Sequence, residues 1–151
     1  MLSPQGNRLR VGRYSEPGRI YLLTVVTQGR RPLLRELRTG RLVVGELRQA
    51  EESALVRSLA WVVMPDHMHW LIELQHSTLE SLMQRVKSRS AKAINQMQGT
   101  QGRVWQKGFH DHAVRQEEDL ITLARYVVAN PLRAGLVRRI GDYPLWDAAW
   151  L

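Results

Sequence analysis

The chain has 151 residues, with 22 Lys and Arg against 14 Asp and Glu for a net charge of +8, 44% hydrophobic residues and no cysteine. That is one domain's length, enough to bury about two-thirds of the unfolded surface. The missing cysteines exclude thiol catalysis, Cys-built zinc sites and a disulfide scaffold, and the positive excess points to a polyanionic partner, most often nucleic acid.

Residues 1–18 are polar, punctuated by Gly and Pro, and carry Arg8, Arg10 and Arg13, the pattern of a basic arm. They lack the continuous apolar core of a signal peptide, and the longest apolar runs are strand-sized, short of the roughly 20 residues of a membrane helix. A cytoplasmic protein is expected. Ile20-Tyr-Leu-Leu-Thr-Val-Val-Thr27 is rich in β-branched and aromatic residues and closed by Gly29, which predicts a buried strand. From 39 to 57, Leu42, Val43, Leu47, Ala50, Ala54 and Leu55 recur at helical spacing. Leu59 to Met64 and His67 to Leu74 predict two strands joined by a Pro65-Asp66 turn, an antiparallel hairpin.

Thr78 is placed to cap a second helix, with Leu79, Leu82, Met83, Val86, Ile94 and Met97 as its apolar stripe. Arg85, Lys87, Arg89 and Lys92 lie largely off that stripe. A Gly/Gln-rich connection over 99–108 contains Arg103, Trp105, Gln106 and Lys107, and residues 110–114 form a short strand or hairpin return. Gln116 or Glu117 opens a last helix that ends near Pro131, and 138–151 is a tail. This order describes one α+β domain, an antiparallel sheet with helices packed on one face.

Two local patterns carry chemistry. His67 and His69 stand two apart in a strand, so both imidazoles project to one face, half of a divalent metal site; two solvent-facing histidines give the same pattern. Tyr126 and Asn130 stand four apart in the last helix and share a face; a core tyrosine followed by an asparagine terminator before Pro131 would look identical. A tyrosine hydroxyl is a poor nucleophile unless a neighbour or metal assists it.

Taken together, four ordered segments resemble the REP-associated tyrosine transposases, relatives of single-tyrosine transposases in the HUH endonuclease superfamily. They are Thr24-Val-Val-Thr27 with Arg30-Arg31, Trp61 to Trp70 (WVVMPDHMHW), Val104 to Arg115 (VWQKGFHDHAVR) and Tyr126 to Val137 (YVVANPLRAGLV). The resemblance implies a ferredoxin-like, palm-type domain that cuts and rejoins single-stranded DNA at palindromic hairpin elements through a 5′-phosphotyrosine. It implies Tyr126 as nucleophile, and His67, His69 and Asn130 as ligands of Mg²⁺ or Mn²⁺. A monomer and a homodimer both suit it; the alternative is a catalytically silent nucleic-acid-binding domain of the same fold. For DNA, Arg85, Lys87, Arg89 and Lys92 are expected to line a groove leading to the histidines. Arg30, Arg31, Arg103 and Lys107 would edge it, with Trp105 as a stacking surface and Gln106 facing a base edge. His110 and His112 receive no ligand role.

Overall fold

A computed structural model describes residues 15–115 and 117–149. Most of the basic arm, Gln116 and the last two residues of the tail lie outside them. Five antiparallel strands, β1 (Ile20–Val26), β2 (Val56–Val63), β3 (His67–Leu74), β4 (His110–Val114) and β5 (Trp146–Ala148), form one sheet in the order β4-β1-β3-β2-β5. Helices α1 (Leu37–Glu52) and α2 (Leu79–Gln98) each follow a strand, and the first four strands have the ferredoxin-like order. Helix α3 (Glu117–Val128) and the single turn α4 (Asn130–Arg133) come after β4.

Strand alternation decides which helix covers which face. Tyr21, Leu23 and Val25 of β1 and Met68, Trp70 and Ile72 of β3 pack with Val43, Leu47, Leu82, Met83 and Val86 of α1 and α2. Leu71, Leu59 and Val62 face the other way and pack against Ala124, Val127 and Val128 of α3. The sheet is therefore covered on both faces, not on one. His67 and His69 share the α3 side, because their even-numbered neighbours are committed to the other core.

Three boundaries depart from expectation for identifiable reasons. Helix α1 stops at Glu52 rather than 57. The Leu55 amide donates to the Ala50 carbonyl and the Ala54 amide to that of Glu51, a Schellman closure that puts Ala54 at φ 59°. That closure releases Leu55 and Val56 early, so β2 starts three residues sooner than its apolar run indicates. The last helix breaks at Ala129, since Pro131 has no N–H for the carbonyl four residues back and its ring crowds it. The tail is not peripheral: Trp146–Ala148 pairs with β2 at the sheet edge, the Tyr143 hydroxyl donates to the Val63 carbonyl at 2.6 Å, and Leu145 is buried. Thr78 does cap α2, accepting from the Ser81 amide at 3.1 Å, and Gly99 closes the helix at φ 66°.

Candidate active site

The start of β3 carries both histidines, and the register fixes their neighbours. Thr24 of β1 lies opposite His69, and its Oγ1 is 2.8 Å from His69 Nδ1. Asp66, the second residue of the hairpin turn, accepts from His67 Nδ1 at 2.8 Å and meets Arg30 with its other oxygen at 3.2 Å. Each ring is thereby tied through Nδ1, which leaves both Nε2 atoms for a common partner. The two ring centroids are 5.0 Å apart. Burial, then the His67 and Arg133 charges, pushes the His69 pKa down from 6.5 to about 4, so this imidazole is neutral at physiological pH, as a metal ligand must be.

Helices α3 and α4 bring the other two residues onto this face. The sheet-facing side chains of α3, Ala124, Val127 and Val128, are buried, which leaves Tyr126 at the rim, 49% exposed, with its ring centroid 6.2 Å from that of His69. Beyond the break, Asn130 Nδ2 lies 3.2 Å from His67 Nε2. Among the described residues no three His, Cys, Asp or Glu side chains cluster as a metal site. A site here would use two imidazole nitrogens and the Asn130 amide, which reaches the same Nε2. Turning that amide over offers its oxygen, and the resulting N/N/O set with open positions suits Mn²⁺ well and Mg²⁺ adequately. The donor set fits such a cation. All four residues singled out in the sequence thus converge within one chain.

Three neighbours were not singled out. Asp66 was assigned to a turn and Thr24 to a buried strand; Thr24 is the one polar residue in Ile20–Val26, the signal that could have marked it. Arg133, which lies within the Tyr126–Val137 segment with no role of its own, places its Cζ 3.8 Å over the Tyr126 ring centroid.

The expected DNA-contacting residues divide differently. Helix α2 packs on the opposite face of the sheet from the histidines, so its basic side chains do not line a groove opening directly onto them. Arg89 is held by Glu46 and Gln49 of α1 at 2.8 and 2.7 Å. Lys87 donates to the Gln106 and Gly108 carbonyls, both at 2.7 Å, and clamps the 99–108 connection; burial lowers its pKa. Trp105 is 3% exposed, bridges Thr27 and donates to Ser90, so it is core rather than a stacking platform. Arg85 is half-buried, whereas Lys92, Arg103, Gln106 and Lys107 are exposed. Arg30, through Asp66, adjoins His67, and Arg31 donates to the Arg103 carbonyl at 3.0 Å. A basic ridge therefore runs around the end of β1, from the histidine face toward a cavity of about 580 Å³ whose lining includes Lys87, Arg103 and Lys107.

Comparisons with known proteins give the chain's relatives. The family described as "Transposase IS200 like" matches residues 19–130. A REP-associated tyrosine transposase of Escherichia coli K12 is 30% identical over 87 residues, 56% of this chain and 50% of that protein. A Haemophilus influenzae relative named for the same group is 24% identical over 143 residues, covering 84% of this chain and 78% of its own length. The structure of a REP-associated tyrosine transposase bound to a REP hairpin superposes with a TM-score of 0.73 at 25% identity, covering 89% of this chain and 79% of that one. A Deinococcus radiodurans structure shares the fold at TM-score 0.54, 19% identity and coverage of 72% and 87%.

Proposed function

The chain belongs to the IS200-like transposase family, and from that premise we propose that it nicks and rejoins single-stranded DNA at hairpin elements, with Tyr126 as nucleophile. One observation carries this reading: α3 and α4 bring Tyr126 and Asn130 onto the face of β3 that holds His67 and His69, within a single chain. That arrangement supports a site complete in one protomer. The hairpin substrate is carried over from the relative whose structure contains a REP hairpin, and the net charge of +8 suits it.

The Tyr126 oxygen attacks phosphorus and the P–O3′ bond breaks. The phenolic proton passes to solvent, the departing 3′-oxygen takes one up, and the 5′ side remains as a phosphotyrosine ester. Rejoining reverses these bonds, so no nucleotide is consumed. Asp66 and Thr24 hold the two rings through their Nδ1 atoms; with the proton on Nδ1, each Nε2 lone pair would be available to the site. A divalent cation bound by His67, His69 and Asn130 would supply polarisation of the scissile phosphate. Most of the catalysis asked of this chain is positioning and charge stabilisation.

The test is incubation of the protein with a single-stranded hairpin oligonucleotide and Mn²⁺ or Mg²⁺, followed by a denaturing gel. A covalent protein–DNA band that Tyr126→Phe abolishes, while hairpin binding persists, supports the proposal. Cleavage without an adduct would mean that water attacks. Binding without cleavage would make this a silent DNA-binding domain.

A further inference from the structure

We propose that Arg133 is a phosphate-binding residue of this site, which also positions the Tyr126 ring; the inference rests on Tyr126 being the nucleophile. Its guanidinium carbon lies 3.8 Å over the centre of that ring, a cation–π contact made with the flat face of the group. Face contact leaves the edge N–H donors unused among the described residues. Among the described residues, Arg30, Arg57, Arg89 and Arg139 each meet a carboxylate, whereas none engages Arg133. A planar cation that stacks through its face while its N–H fork stays open is built for two oxygens of one anion.

The chain supplies the placement. A straight helix would put a residue seven positions on from Tyr126 two turns along the axis. The break forced by Pro131 starts α4 afresh, and the Arg133 amide bonds back to the Ala129 carbonyl at 3.0 Å, anchoring the backbone beneath the side chain. Arg133 therefore stands over the Tyr126 ring, whose centroid is 6.2 Å from that of His69, on the rim where the reacting phosphate must lie. It transfers no proton. It grips the non-bridging oxygens while the Tyr126 O–P bond forms and the P–O3′ bond breaks, and it fixes the ring that attacks.

Arg133→Met, Arg133→Lys and Arg133→Ala test this on the full chain with the hairpin oligonucleotide. Arg133→Met is expected to slow adduct formation by roughly 10²–10³-fold while KM for the hairpin moves by less than about threefold. Arg133→Lys should recover little of the rate, since a point charge lacks the fork. Ethylguanidinium added to Arg133→Ala should restore part of it, and the melting temperatures of all three should stay near wild type. Wild-type rates in Arg133→Met overturn the proposal. So does a slow variant that melts early and is not rescued, because that marks a structural clamp. If the wild-type chain itself forms no adduct, the Tyr126 assignment falls and this inference falls with it.

Discussion

At the scale of single residues, the site depends on what holds each imidazole as much as on the imidazoles themselves. Asp66→Asn removes the carboxylate that accepts from His67 Nδ1. It should weaken Mn²⁺ binding by roughly 10–100-fold, measured by calorimetry on the unreacted protein, with the fold intact by circular dichroism. Affinity unchanged from wild type would mean that Asp66 does not orient the ligand. His69 gives a second test through its depressed pKa. The unfolded chain binds this proton near pH 6.5 and the folded chain only near pH 4. Stability contributed by neutral His69 is thus complete above 6.5 and is lost as pH falls toward 4, by up to about 3 kcal/mol. Chemical denaturation across that window should show the loss in wild type and a smaller one in His69→Gln; parallel curves would refute the assignment. The strand period puts His67 and His69 on one face by counting, whereas Tyr126 and Asn130 are picked out with them through the family resemblance, since the helix counted through both breaks at Ala129. Asp66 and Arg133 were not legible, since a turn and a proline break hide where a side chain ends up.

At the scale of elements, the pattern of α2 misleads in an instructive way. A charged stripe opposite an apolar one predicts a solvated or ligand-facing surface, but α1 packs alongside, and Glu46 and Gln49 take up Arg89. Lys87 similarly serves the backbone of the next connection. Arg89→Ala should therefore leave hairpin affinity within about twofold and cost no more than about 1 kcal/mol, as exposed ion pairs do. Arg31→Ala, on the ridge at the end of β1, should weaken binding uniformly across sequences and reduce its salt dependence by close to one phosphate contact. Filter binding at two salt concentrations separates these outcomes. An Arg89→Ala effect as large as that of Arg31→Ala would return α2 to the DNA surface. Trp105 shows the limit of reading aromatics in a Gly-rich connection: only the pairing of Thr27 with Trp105 and the bond to Ser90 reveal that this segment crosses the core.

At the scale of the whole molecule, the first three strands are readable in the sequence because each has a compact apolar run and a turn or helix after it, whereas the polar segment HDHAV of β4 reads equally as a strand or a hairpin return. The second cover of the sheet and the β5 edge are not readable, since pairing across some 80 residues leaves no local period. The tail nevertheless holds the fold together. Tyr143 is pushed up to about 12 by burial, its hydroxyl bonds Val63, and Leu145 fills the space beside Gly40, where a Cβ would collide with it. Leu145→Ala should cost about 2–5 kcal/mol in urea unfolding; a loss below 1 kcal/mol would show the tail to be loosely attached. This closed scaffold presents one rim where Tyr126, Arg133, His67, His69 and Asn130 meet. The most direct check on that convergence is peptide mapping by mass spectrometry of the protein–DNA adduct after protease and nuclease digestion. A 5′-phosphodeoxynucleotide on Tyr126 and on no other residue is the expected result. Modification at a different side chain, or no covalent nucleotide under conditions that cleave the hairpin, would contradict it.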